Sequence, residues 1–376
     1  MKMDTARFGE IAEFINGRAF KPSEWSRSGL PIIRIQNLTG TSEGFNFFNG
    51  TPSEQHMVRS GDLLISWSAS LGVYRWSGRD AVLNQHIFKV RLNDHVDETF
   101  FFYGAQHSLS EMESRVHGST MQHITKDQFD SLPIRLPPLA EQRRIAAQLE
   151  QADSLRRTRR YTLDLSDTFL PATFRRMFGD VSKIVPLDEC AEIVSGIAKG
   201  QKYGERPTVE APYLRVANVQ DGFLDLSEIK FIEALPEDVA QLTLQPGDVL
   251  MTEGGDYDKL GRGAVWRGEI EGCIHQNHVF RVRLDSRTVL PVYFAEFLKS
   301  AAAKSYFLSC AKQTTNLASI NMTQLRATPL PVPSLSQQQA FASIVREHER
   351  LRSVQRESLR QAEHLFQTLL HRAFAA

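Results

Sequence analysis

The sequence predicts an α+β protein built from two similar heads with twisted β-sheets, separated by two long antiparallel helices that form a coiled-coil-like spacer. Three observations carry this prediction. The chain contains an ordered internal repeat, each half runs from strands into helices, and a proline-stopped helix start is written twice, as "LPIRLPPLAEQRRIAAQLE" from Leu132 and as "TPLPVPSLSQQQAFASIVRE" from Thr328.

The repeat is read first, because a period missed here would mis-assign the whole fold. "AEFING" from Ala12 matches "AEIVSG" from Ala191, and "IIRIQNL" from Ile32 matches "YLRVANV" from Tyr213, pairing Arg34 with Arg215 and Asn37 with Asn218. "SGDLLIS" matches "PGDVLMT" (Asp62 with Asp248), and "HIFKVRL" from His86 matches "HVFRVRL" from His278. The order is kept throughout while the offset grows from 179 at Ala12 to 196 at Pro137. Small loop insertions in the second half account for the growth, and the pattern is that of a duplicated domain with an internal pseudo-two-fold.

The elements follow in the same order in both halves. β-rich segments bounded by Gly, Asn and Ser turns are expected at 31–38, 62–67 and 87–92, with counterparts at 213–219, 248–252 and 279–284. A helical stretch follows at 98–114 and at 291–308, then a polar loop, a short helix and an extended strand closed by prolines. Each such head holds about 130 residues, an ordinary domain size. The boundaries expected are 1–138 for the first head, 139–178 for the first long helix, 179–334 for the second head and 335–376 for the second long helix.

Both long stretches carry apolar residues at helical three-four spacing. Ile145, Leu149, Ala152 and Leu155 mark the first, and Phe341, Val345, His348 and Leu351, with Ile344 and Val354, mark the second. Pro171 predicts a kink or break near the end of the first. Forty helical residues make a rod of about 60 Å, longer than a sheet needs for cover, so the two rods are expected to pack against each other through these side chains.

Composition narrows the class. Hydrophobic residues make up 41% of the 376 and charged residues 23%, close to averages for globular proteins. No apolar run approaches the ~18 residues of a membrane span, and the start "MKMDTARFGEIAEF" carries no signal-peptide core, so a cytoplasmic location without membrane contact is expected. Cys190, Cys273 and Cys310 form no CxxC pair and read as buried small apolar residues rather than metal ligands. Lys plus Arg and Asp plus Glu are 44 each, so bulk charge does not announce a nucleic-acid partner. Its distribution is uneven, with paired arginines between Arg143 and Arg176 and an acid-rich stretch from Glu205 to Asp258.

Catalytic patterns are missing. There is no phosphate loop, dinucleotide fingerprint, zinc-protease helix or nucleophile elbow. Asp62 and Asp248 each stand alone before a strand and read as turn residues, and His86 and His278 open matching strands without a nearby acid or nucleophile. The remaining polar groups suit reading rather than reacting. Arg34, Gln36, Asn37, Gln85 and Gln122 in the first half, and Arg215, Asn218, Asn277 and Gln313 in the second, are types that pair with guanine or adenine edges. Ser66, Trp67, Ser68 and Arg75, and Lys259, Arg262 and Lys312, add loop positions that differ between the halves. For Arg34 and Arg215 a structural role, satisfying turn carbonyls, is equally open.

Two α+β heads, each followed by a proline-stopped long helix, resemble the specificity subunit of a type I restriction-modification enzyme. The resemblance is carried by the two junctions quoted above, by "IIRIQNL"/"YLRVANV" and "SGDLLIS"/"PGDVLMT", and by "GSTMQHI", and it spans essentially the whole chain. It implies that the heads are target-recognition domains for double-stranded DNA and that the helices are the repeated regions that hold them apart. It also implies docking of methyltransferase subunits, two of them, and through them restriction subunits. The chain would bind no cofactor and have no activity of its own, with S-adenosylmethionine, ATP and Mg belonging to the partners. Two departures stand out: the second helix opens "SQQQAFASI" where the first has "AEQRRIAAQ", and "TTNLASI" lacks the glycine of "GSTMQHI". The residues alone leave two other readings open, an adaptor for a different methyltransferase-based phage-defence system and a coiled-coil scaffold with ligand-binding heads.

Overall fold

In each half the strands at the centre of the sheet are short apolar runs, "LLIS" and "VLMT", with every residue buried, as expected where both faces of a strand are covered. The computed structural model describes residues 5–68, 70–115, 126–313 and 318–375. It divides into two compact units, Met1–Arg160 with Glu357–Ala376, and Tyr161–Arg356.

The first unit holds an antiparallel four-stranded sheet in the order Ala12–Asn16, Ile87–Leu92, Leu63–Ser66, Gly72–Arg75. The second unit holds its counterpart, Ala191–Ser195, Val279–Leu284, Val249–Thr252, Gly263–Val265, with the same order and directions. Each unit has a second sheet. In the first unit it has five strands, with Leu30–Ile33 parallel to Ala81–Leu83; in the second it has three, with Val209–Leu214 parallel to Ile274–His275. A two-stranded ribbon closes each head, Thr5–Arg7 on Pro133–Arg135 and Ile184–Pro186 on Pro329–Pro331.

The glycine-aspartate turns explain one repeated motif. Gly61 and Gly247 both have φ +100°, a left-handed conformation that favours glycine. The following aspartates close the turns, Asp62 Oδ2 accepting from the Arg59 N–H and Asp248 Oδ2 from the Gln245 N–H, each at 2.7 Å.

Three expected elements are shorter than their sequence pattern. The run 31–38 is a strand only over Leu30–Ile33 and then turns into a helical segment, Ile35–Leu38. Its counterpart is a strand over Val209–Leu214 and a 3₁₀ turn, Val216–Asn218. The cause is local: the Asn37 and Asn218 side chains accept from the N–H groups of Arg34 and Arg215 at 3.0 and 2.9 Å, capping a turn where a ladder would otherwise continue. The stretch 291–308 is two helices, Pro291–Leu298 and Ala301–Cys310, because the Ser300 side chain caps a second start.

The first rod runs Leu139–Ser166, breaks, and resumes as Phe169–Phe178 with Pro171 in its first turn. There a missing N–H is harmless. The second rod is continuous over Leu335–Phe374. In the first unit Ile145, Leu149 and Ala152 share one core with Phe366, Leu370 and Ala373 from the far end of the second rod. There the Arg156 guanidinium lies 4.1 Å from the Phe366 ring centre, and Arg160 pairs with Glu363 at 2.5 Å. In the second unit Phe341 and Val345 share a core with Leu170, Phe174 and Phe178, Phe169 stacks on the half-buried His348, and Arg352 pairs with Asp167. In both units one segment ascends while the other descends. The start of each rod therefore meets the end of the other. Leu155 and Leu351, expected in the packed stripe, are 39% and 45% exposed.

A buried glutamine fixes each rod start to its head. Gln142 donates to the carbonyls of His95 and Pro137 and accepts from the Asp97 N–H. Gln338 donates to those of Thr288 and Pro333 and accepts from the Leu290 N–H. This glutamine survives the change from "AEQRR" to "SQQQA", and it is what makes the two junctions alike.

Candidate nucleic-acid interface

Each head has one corner where four chain segments are held by the same backbone bonds. In the first head the Arg18 N–H donates to the Leu83 carbonyl, Asn84 to Ile33, Trp67 to His86 and Ile87 to Asn84. In the second, Ile197 donates to His275, Gln276 to Leu214, Glu253 to His278 and Val279 to Gln276. The four bonds correspond one to one under the repeat. "AEFING" and "AEIVSG" end in glycine for this reason. A Cβ on Gly17 would lie 2.1 Å from the Asn84 carbonyl oxygen, and one on Gly196 would lie 1.9 Å from that of His275, so only hydrogen fits.

On this shared frame the side chains differ. In the first head the Trp67 ring lies against His86 (5.5 Å between centres) and stacks on Phe88 (5.9 Å), and its indole N–H donates to Asn16 Oδ1. In the second, Glu253 occupies the Trp67 position, and its Oε2 lies 2.5 Å from His278 Nδ1. Asn277 Nδ2 lies 3.4 Å from the other ring nitrogen, which makes Nδ1–H the donor to the carboxylate and Nε2 the acceptor from the amide. Beside this pair opens a cleft of about 560 Å³ lined by Val216, Glu253, Gly254, Gly255, His278, Lys312, Ala318 and Ser319. Its floor is the Gly254–Gly255 strand paired to Ala318–Ser319, which pairs in turn to Lys312–Gln313.

A second histidine of this corner serves the fold. His275 is fully buried, its Nδ1–H donates to the Val279 carbonyl at 2.7 Å, and desolvation pushes its pKa down to about 4. The first head has Leu83 there, also fully buried. Burial likewise pushes the Cys273 thiol up to about 12, and Cys190 and Cys310 are raised by desolvation too, as expected of unreactive thiols.

Several sequence-picked readers are occupied structurally. Asn37 Nδ2 donates to the Ser42 and Gly44 carbonyls, and Asn218 Nδ2 to those of Asp225 and Glu228, so both staple their loops. Ser66 is fully buried and bonds the Ser70 carbonyl, and Ser68 is buried. Arg75 pairs with Glu98 and Thr99 at the start of the Glu98–Arg115 helix. Arg215 pairs with Glu228, Lys259 with Asp256, and Arg262 donates to Gln220 and to the Val216 carbonyl. The Arg34 guanidinium sits over Trp25 at 5.8 Å, and Gln36 is exposed. Trp67, Gln85, Asn277 and Lys312 are the ones the fold brings to the corners, where Gln85 Nε2 lies 3.2 Å from the His86 ring. Gln122 lies outside the described residues, as does the Gln313 side chain. Sequence reading missed Glu253 as a member of the site; its offset of 186 from Trp67 in the repeat was the available signal.

Residues 2–163 match the family described as type I restriction modification DNA specificity domain. That match covers the first head and most of the helix that follows it. The chain is similar, at 24% identity over 97% of this chain and 84% of the relative, to the type I restriction enzyme EcoBI specificity subunit of Escherichia coli. Two solved structures share its fold. One, from work on complex assembly and conformational transition of the type I R-M system, aligns over 99% of this chain and 98% of its own at TM-score 0.63 and 18% identity. The other, the type I restriction-modification S subunit from M. genitalium, aligns over 100% and 97% at TM-score 0.57 and 13% identity. The duplicated corners are where the chemistry of the two heads diverges. Among the described residues no group of His, Cys, Asp or Glu gathers as metal ligands, and no helix is long and apolar enough to cross a membrane.

Proposed function

We propose that this chain is the non-catalytic, cytoplasmic specificity subunit of a type I restriction-modification complex and reads a bipartite double-stranded DNA target, one half-site per head. The recognition domains are residues 1–138 and 179–334, and the spacer helices are 139–178 and 335–376. The observation that carries the reading is the duplicated corner: one backbone frame, built twice, presents a tryptophan in one head and a carboxylate in the other. A duplicated enzyme would repeat its reactive groups, whereas a two-part reader repeats its frame and varies what the frame presents. Heads held on rods suit half-sites spaced by about one helical turn of DNA, roughly 34 Å.

Methyltransferase subunits, two of them, would dock along the helices and connect to restriction subunits. Exposed apolar residues support this, Tyr161 and Leu165 on the first helix and Leu351 and Val354 on the second, because such side chains in a row mark interaction surfaces. S-adenosylmethionine, ATP and Mg would be held by those partners. A net charge of zero fits a subunit whose partners supply much of the phosphate neutralisation, so its DNA binding alone would be weak and strongly salt-dependent.

The test is methylome sequencing of a host with and without the gene, and with residues 1–130 replaced by the head of a relative. The expected result is a bipartite motif that needs the gene and changes in one half only. Loss of methylation at no motif, or a change in both halves together, overturns the reading.

A further inference from the structure

The Trp67/Glu253 position lies at the same place in both frames, faces the histidine that opens the central strand, and carries unlike chemistry. We propose that this position sets base choice in each half-site, and that Glu253 makes the second head select a base with an exocyclic amino group in the major groove, cytosine foremost. The proposal rests on the DNA-reading function above and names the group that performs it.

Glu253 is held through both of its backbone groups. Its backbone N–H donates to the His278 carbonyl at 3.0 Å, and its own carbonyl accepts from the Ile320 N–H at 2.9 Å. With both backbone groups bonded, the side chain leaves the end of a buried strand in a fixed direction, into the open cleft. His278 Nδ1–H then holds one carboxylate oxygen at 2.5 Å, so the other can accept a hydrogen bond from a ligand without losing this anchor. A carboxylate held this way accepts from the cytosine N4 amino group and rejects the carbonyl at the matching edge of guanine or thymine.

The surroundings fit a base edge. Gly254 and Gly255 give the cleft a floor without side chains, and Lys312 and His278 supply charge and an imidazole at its walls. Both lie on the exposed side, Lys312 exposed and the His278 side chain 56% exposed. In the first head the half-buried Trp67 ring stands at the same place and has no carboxylate to offer. An apolar contact such as a thymine methyl group suits that surface.

The experiment uses the whole chain assembled with its methyltransferase partner. The complex selects from a DNA library randomised in both half-sites, and base preference is read at every position for the unmodified protein, Glu253→Gln, Glu253→Ala and Trp67→Phe. Glu253→Gln should lower discrimination at one position of the second half-site by about tenfold, the size of one good base contact, and leave the first half-site unchanged. Glu253→Ala should do the same, and Trp67→Phe should alter the first half-site only. Melting temperatures of all variants establish that each is folded. Unchanged preferences at every position in folded Glu253 variants, or uniformly weaker binding without a change in preference, overturn the assignment and leave the DNA-reading function standing. If the unmodified complex selects no bipartite motif, the function itself fails.

Discussion

The two heads share an inner framework and differ in what leans on it. Both have the same four-stranded order, the same left-handed glycine before the central strand and the same close-approach glycine at the corner. The outer sheet has five strands in one head and three in the other. The buried corner residue is Leu83 in one and His275 in the other, and the half-buried one is Trp67 against Glu253. Divergence is therefore tolerated where the backbone bonds are unaffected. Side chains that no frame bond depends on are free to change.

This comparison can be broken from several sides, beginning with the core shared by head and rods. Leu149→Asp would bury a lone carboxylate among Ile145, Phe366 and Leu370, and it should destabilise the first unit by about 4 kcal/mol or more. Urea denaturation measures this directly. Near-normal stability would mean the rod ends are not part of the head core.

The second test concerns the buried histidine that only one head has. The folded pKa of His275, about 4, lies below its ordinary 6.5, so the unfolded chain takes up the proton first as pH falls. Stability from this group is complete above pH 6.5 and lost progressively down to pH 4, by about 3 kcal/mol in all. His275→Leu, which copies the first head, should make the stability curve shallower by about one proton across that window. Denaturation midpoints from pH 7 to pH 4 that keep the original slope would refute it.

The buried glutamines allow a paired test. Gln142→Leu and Gln338→Leu each strand one N–H and two carbonyls, so each should cost about 2–3 kcal/mol. Equal losses would show that the two junctions do the same work despite their different flanking residues; a loss in one alone would show that they do not. At the small end, Leu155→Ser and Leu351→Ser should change stability by no more than about 0.5 kcal/mol, since both side chains are exposed. A larger loss would return them to the packed stripe.

Much of this was legible because the physics was local. Apolar periodicity announces the rods, alternation and continuous apolar runs announce the strands, and the repeat gives both heads at once. The break near Pro171 was legible too, since a residue without an N–H belongs in a first turn. The helical turns at Ile35–Leu38 and Val216–Asn218 were missed. Their side-chain caps use residues that look equally at home in a strand. Candidate readers such as Asn37, Asn218 and Arg75 looked available because residue type alone does not say which carbonyl or carboxylate will claim a side chain.

The sequence by itself determined the duplication, the two kinds of element and the places where head gives way to rod, because each is set by patterns within a few turns or strands. Tertiary structure alone decided which residues meet. It set the start of each rod against the end of the other, because antiparallel helices pair opposite ends. It also brought Glu253 to His278 across 25 residues of chain, and Gln142 to His95 across 47. Contacts of that reach depend on where the whole sheet carries its strand ends, a property that no short stretch of sequence contains.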